Sequence, residues 1–180
     1  LEDRAEQIIK HEGYTVSYNK NWRLPNWVAY ELIRDELRGT VSRTDKFVVD
    51  PYVNGVSATN ADYRRSGFVR GHMAPAADMT WSETAMKESF YFSNMCPQNP
   101  GLNRGAWKDL EESIRKWVKE DSAIAIVCGP LVDKRDTTIG RNEVKIPHAF
   151  FKVIVSPYVT TPRGIGFVFK NEKEDAPLSA

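Results

Sequence analysis

Residues 67–79 read GFVRGHMAPAADM. The stretch opens with apolar and polar residues in alternation and then meets Pro75, so it reads as the end of a strand turning into a loop. At that strand end stands His72, directly after Arg70 and Gly71, in a chain with only three histidines. A titratable imidazole in such a place is either a satisfied structural residue or a chemical reagent, and the flanking sequence has to decide between the two.

The chain can build a sizeable interior: 180 residues, 41% hydrophobic and 11% aromatic, suit one folded domain over 1–180 rather than disorder. With 25 Lys and Arg against 24 Asp and Glu, the net charge is +1. Any affinity for a polyanion must therefore come from a local patch and not from a global field. Cys96 and Cys128 lie far apart with no His or second Cys at metal-ligand spacing, which removes zinc-ribbon and CxxC readings and leaves buried free thiols as the expectation. No window approaches the roughly 18 apolar residues of a membrane span, so no membrane partner is expected.

Working outward, DRAEQIIKHEGY (3–14) reads as a short amphipathic helix ending at Gly13, and YTVSYN and WVAYELI as strands. FVVDP predicts another strand stopped by Pro51, and 52–66 is loop-like with a basic YRRSG end. Thr80 and Glu83 have capping-box spacing ahead of a helix over WSETAMKESF, followed by a strand at FYFSN and a loop at MCPQNPG. Ala106, Trp107, Leu110, Ile114, Trp117 and Val118 recur at helical spacing, so 102–121 reads as one long amphipathic helix. SAIAIVCGP, AFFKVIVS and GIGFVFK are short and β-branched enough to be buried strands, and the polar tail NEKEDAPLSA reads as a loose end.

The chain contains no GxxxxGK phosphate loop, no HExxH, no GxSxG elbow and no GxGxxG. What remains fits phosphodiester hydrolysis, which needs a base for water, a cation against growing charge and arginines to hold phosphate. His72 can be the base and Arg70 a phosphate clamp. Asn103 offers a neutral carbonyl oxygen, and Mg²⁺ accepts one such ligand while keeping most of its waters. Glu111 follows Asn103 by eight residues, about 12 Å of rise and roughly 80° of rotation on a helix, so the two cannot both ligate one ion directly if both are helical.

At these residues the chain resembles the DNA/RNA non-specific endonucleases of the ββα-metal superfamily, the Serratia nuclease and endonuclease G type. Four pieces in order carry the likeness: ATNADYRRSGFVRGHMAPAAD (58–78), SFYFSNMCPQ (89–98), LNRGAWKDLE (102–111) and CGPL (128–131). The resemblance covers roughly residues 25–170. It implies an α/β (α+β) domain with a mostly antiparallel central sheet, packed helices and a ββα-metal catalytic unit. It further implies His72 as general base, Asn103 as the protein ligand of Mg²⁺ (or another divalent ion such as Mn²⁺), and Glu111 near the metal's waters. Arg70 and Asn94 fall on the family's arginine and asparagine beside them, and Arg43 in RTDKFVVD, with Lys46 as competitor, on an upstream phosphate-facing arginine. Arg65 and Arg104, with Arg64 and Lys87, supply a basic patch for DNA and RNA. Products bearing 5′-phosphates follow from the same likeness.

Two departures stand out. The family's motif usually begins with Asp where this chain has Val69, a position that points away from Arg70 on a strand. Members also usually continue past GFVFK into a helical segment that this chain lacks. Both keep a rival reading open, a catalytically silent nucleic-acid- or partner-binding module on the same fold. Asn103 could equally be a helix N-cap, Asn94 a backbone support, and Glu111 a solvated residue, while Trp107 and Trp117 read as core and His11 and His148 as structural. A homodimer and a protein inhibitor are compatible with the resemblance. Because an indiscriminate nuclease endangers its own cell, secretion, a periplasm or a eukaryotic compartment is expected.

Overall fold

The structure, a computed structural model, describes residues 5–172. In chain order its elements are β1 (Gln7–Lys10), β2 (Thr15–Asn19), β3 (Leu24–Ile33), α1 (Asn60–Tyr63), β4 (Val69–His72), α2 (Glu83–Glu88) and β5 (Met95–Gln98). There follow α3 (Pro100–Arg104), α4 (Ala106–Asp121), β6 (Ala123–Leu131), β7 (Thr138–Ile139), β8 (Val144–Lys145), β9 (Ala149–Ser156) and β10 (Arg163–Lys170). The loose tail read at 171–180 lies, from residue 173 on, outside the described residues.

Strand alternation builds a six-stranded antiparallel sheet in the order β1-β2-β3-β6-β9-β10. In register across its centre, Val28 faces Cys128 and then Lys152, and Tyr30 faces Ile126 and then Ile154. All six side chains are buried and share one face, as the period of two requires. Their chain neighbours Val127 and Val153 turn to the other face and are 37% and 41% exposed. Against the buried face packs α4, whose Trp107, Leu110, Ile114 and Val118 make the apolar stripe that its spacing predicts. Trp107 reaches Phe150 and Phe169, with ring centroids 5.7 and 5.9 Å apart, and so locks the helix onto β9 and β10.

Several local expectations give way to longer-range contacts. The helix expected to end at Gly13 is strand β1 instead: Ile9 pairs with Val16 in a ladder with β2, whose hydrogen bonds outweigh a weak helical pattern. FVVDP contributes only a bridge between Val48 and Tyr91, and FYFSN a 3-10 turn over Phe92–Asn94. The strand lies one step later, in the stretch expected to be a loop, where β5 pairs with β4. Ser82, not Thr80, caps α2, its hydroxyl accepting from the Ala85 amide at 3.2 Å. The long helix breaks at Gly105 into α3 and α4, and Asn99 rather than Asn103 caps the first piece by accepting from the Gly101 amide.

Cys96 and Cys128 are buried free thiols. Among the described residues no helix is long and apolar enough to cross a membrane. Ile126, wholly buried at the centre of the sheet, is the place to test the core. Ile126→Ala should cost about 2–5 kcal/mol through lost burial and the cavity left behind. Urea unfolding should show a lower midpoint with an unchanged slope.

Candidate active site

The site grows from the two-stranded ribbon of β4 and β5. Val69 pairs with Gln98, Arg70 with Pro97, Gly71 with Cys96 and His72 with Met95. Gly71 is required there: a Cβ would stand 2.3 Å from Gln98 Oε1 and 2.7 Å from its Cβ, so the whole Gln98 side chain would have to move. Gln98 in turn accepts a 2.7 Å hydrogen bond from Asn103 Nδ2, which fixes the α3 asparagine against the ribbon. Because that bond uses the amide nitrogen, the carbonyl oxygen Oδ1 of Asn103 keeps its acceptor capacity.

Behind His72 the backbone is held from both sides. The Met73 amide donates to Asn94 O at 3.0 Å, and the Cys128 thiol on β6 donates to Met73 O at 3.2 Å. The Trp107 indole lies 3.4 Å from His72 O, a long contact that ties the histidine to the start of α4. Asn94 is wholly buried and spends its side chain on backbone: Oδ1 accepts from the Ala74 amide at 2.9 Å, and Nδ2 donates to Ala74 O and Ser89 O. It shapes the turn after His72, and of its two open readings the structure favours backbone support.

The His72 ring sits edge-on to Phe90, with centroids 4.9 Å apart, and to Phe47 at 5.7 Å. On the same Phe90 ring lies Arg43, its Cζ 5.0 Å from the centroid, and on Phe47 lies Arg70 at 4.0 Å. Two arginine-topped phenylalanines thus frame one imidazole, an arrangement that cation–π attraction holds in place. Arg43 also donates to Asp45 Oδ1 at 2.5 Å, and Arg70 donates to Asn60 Oδ1 at 2.6 Å. His72 as a residue keeps some exposure, but its Nε2 is covered and has no protein partner. Burial of the ring, reinforced by Arg43, opposed by Asp45 and aided again by Arg70, takes its pKa from the ordinary 6.5 down to about 3. The imidazole is neutral at physiological pH.

Glu111 is paired with a buried lysine. On α4, with its side chain 12% exposed, it stands 3.6 Å from the Nζ of Lys152, a lysine with no exposure at all. Burial pushes the Glu111 carboxyl up to about 7, against the pull of Lys152 and Arg115 and with the repulsion of Asp78. Asp78 itself is held by Arg115 at 2.9 Å and by the Tyr30 hydroxyl at 3.0 Å. Lys152 Nζ also lies 4.1 Å from the Trp107 ring, so this charged cluster meets the histidine through the indole.

Arg65 and Arg104 are exposed, the first in a left-handed turn at φ 58°, the second ending α3 next to Asn103. Among the described residues neither makes an ion pair, and no contact brings either to the His72 ring. Sequence reading missed Phe47, Phe90, Gln98, Asn60 and Lys152 as parts of the site; all five sit inside stretches quoted for other reasons, and only their meeting in space marks them.

A divalent cation fits what is present. Among the described residues no three His, Cys, Asp or Glu side chains converge into a metal cage. What the site offers is the neutral amide oxygen of Asn103, whose amide nitrogen is held by Gln98, and a single oxygen donor of this kind suits a hard, largely hydrated ion such as Mg²⁺.

Comparison with known proteins agrees with this geometry. The family model for DNA/RNA non-specific endonucleases matches residues 2–180. Human mitochondrial endonuclease G is 38% identical over 161 residues, 83% of this chain and 54% of that protein. Nuclease C1 of Cunninghamella echinulata var. echinulata is 35% identical over 186 residues, 95% of this chain and 74% of that one. A crystal structure of an EndoG/EndoGI complex, reported for the mechanism of EndoG inhibition, superposes with a TM-score of 0.89 at 32% identity, over 96% of this chain and 78% of that one. The chain spans about half the length of the endonuclease G and EXOG relatives it matches. With the family model covering nearly its whole length and a ribbon-and-helix unit presenting one histidine and one asparagine, the chain belongs to the DNA/RNA non-specific endonuclease family.

Proposed function

We propose that this protein is a metal-dependent, sugar-non-specific endonuclease that hydrolyses phosphodiester bonds of DNA and RNA, acting as a single nuclease domain. The observation that carries the reading is His72 itself: a neutral imidazole with an unpartnered nitrogen, framed by two guanidinium groups. A structural histidine would have its nitrogens satisfied, and two cations beside it would be unfavourable for any role that needs a charged ring.

In the reaction, Arg43 and Arg70 hold the non-bridging oxygens of the scissile phosphate, and the phenylalanines beneath them fix where those guanidinium groups sit. His72 takes a proton from water. The water oxygen bonds to phosphorus in line with the departing 3′-oxygen, whose bond to phosphorus breaks, and the new end is a 5′-phosphate. Asn103, with Glu111 near the water shell, would hold the Mg²⁺ or Mn²⁺ ion, which supplies charge neutralisation at phosphorus and the leaving oxygen when bound. Gln98 orients Asn103, Asn94 shapes the turn behind His72, and Arg65 and Arg104 add sequence-independent phosphate contacts. Because such an enzyme reads no sequence, its cell must restrain it. The mitochondrial names of several relatives and the inhibitor complex of EndoG support confinement to a compartment or a protein inhibitor for this chain too.

Plasmid DNA and total RNA incubated at low salt with Mg²⁺ should both be degraded, and EDTA should stop it. His72→Ala should lose about 10²–10⁴ in rate while its circular dichroism is unchanged. Binding of DNA without cleavage by the intact protein would instead make it a silent binding module. Gly71→Ala, which pushes Gln98 off Asn103, should cost about a hundredfold, as a misplacement of order 1 Å does.

Protonation adds a further pair of outcomes. Since kcat/KM against pH reports groups of the free enzyme, its acid limb should lie well below 6.5. In stability the sign follows from the lowered folded-state value. Between 6.5 and about 3 the unfolded histidine binds a proton that the folded one refuses, so its contribution is intact above 6.5 and is lost as pH falls. The drop in Tm from pH 7 to pH 4.5 should therefore be smaller for His72→Gln than for the wild type.

A further inference from the structure

Next to the histidine lies a cleft of about 820 Å³ between residues 40–48 and helix α2. The 40–48 segment has two roles. Two of its residues serve the site already described: Arg43 lies on Phe90, and Phe47 packs on both Phe90 and His72. Thr40, Ser42, Thr44 and Lys46, with the apolar Val41 and Val48, line the cleft, and the chain bends at Asp45, where φ is 52°. From the opposite wall α2 contributes Thr84 and Lys87, together with a single carboxylate, Glu83.

The chemistry of this lining is specific in kind. Four hydroxyls and two ammonium groups are donors, and among the described residues neither lysine forms an ion pair. Thr44 Oγ1 is covered and has no hydrogen-bond partner in the protein. The lining holds no aromatic ring on which a base could stack. Point charges and hydroxyls without a stacking platform suit phosphate oxygens and sugar rather than bases. The volume falls within the roughly 300–1,000 Å³ of clefts that enclose small ligands. Arg43 and His72 share one Phe90 ring, so a strand whose scissile phosphate lies at His72 can run past Arg43 into this cleft.

We infer that this cleft is an extended-substrate subsite, in which Lys46, Lys87 and the hydroxyls of Ser42, Thr44 and Thr84 hold a phosphodiester of the same strand flanking the one that is cut. The inference rests on the nuclease reading. It makes Lys46 a contact for the neighbouring phosphate and leaves Arg43 to the scissile one, which resolves the competition between them. It also predicts that chain length, not base sequence, sets the efficiency of cutting.

The test uses the intact protein and single-stranded oligodeoxynucleotides of 4 to 20 nucleotides, comparing wild type with Lys46→Ala/Lys87→Ala. A control, Lys116→Ala/Lys119→Ala, removes the same charge from exposed positions on α4. For the wild type kcat/KM should rise with length. The cleft variant should lose most of that rise, with KM for the 20-mer up roughly tenfold, kcat unchanged, and the slope of log K against log salt shallower by about 1, as loss of one or two phosphate contacts gives. Equal loss at every length, no loss at all, or the same loss in the α4 control would overturn the subsite. If the wild type cuts no oligonucleotide, the nuclease reading falls and the subsite is judged by anisotropy of a fluorescent 20-mer. There the cleft variant, and not the control, should bind more weakly with the same shallower salt slope, and equal binding by both would overturn it.

Discussion

The four-residue ladder between β4 and β5 is the joint on which the site turns. It can close only because position 71 is glycine, which lets Gln98 lie flat against the ribbon and reach Asn103 on the next element. Through that one contact a strand residue, His72, and a helix residue, Asn103, are held in a common frame. The break at Gly105 then lets α3 follow the ribbon while α4 turns to follow the sheet. A continuous helix from 102 to 121 would have to satisfy both demands with a single axis.

Around that joint the protein sorts its charges by dielectric. The arginines beside His72 remain near solvent, where a phosphate can reach them, and their cost is borne by the imidazole, which stays neutral. Beneath the site the reverse holds: Lys152, Glu111, Asp78 and Arg115 are brought together out of water. A buried ion network of this kind is a weak source of stability, because desolvation offsets much of the Coulombic attraction, but losing one member strands the others. It touches the Trp107 ring through Lys152, and the indole in turn meets the backbone oxygen of His72.

Phe47 and Phe90 both meet the His72 ring edge-on and keep it neutral without shutting it off from the two arginines. Apolar edges exclude water that would stabilise the imidazolium, and the same rings seat the guanidinium groups of Arg43 and Arg70. The imidazole and the two guanidinium groups therefore share one scaffold. Val69 pairs with Gln98 in the ribbon, while Phe47 and Phe90 meet the imidazole and Arg70 and Arg43 lie on those rings.

Local periodicity sufficed for the sheet's long strands and for α4, since alternation and the 3.6-residue stripe each report one buried face. Motif order sufficed to bring His72, Arg70 and Asn103 forward together. It could not supply β1 or β5, whose strand conformation depends on ladders with β2 and β4 and not on their own composition. Nor could it show that Asn94 is spent on backbone, that Glu111 looks toward Lys152, or that Phe47 and Phe90 meet at one imidazole. Those facts belong to residues far apart in the chain, and a contact between them leaves no periodic trace in either segment. By itself the sequence determined the long strands of the sheet and α4, and it singled out His72, Arg70 and Asn103 as candidates. The tertiary structure alone decided their partners, because burial, hydrogen-bond satisfaction and charge pairing are set by what folding places nearby.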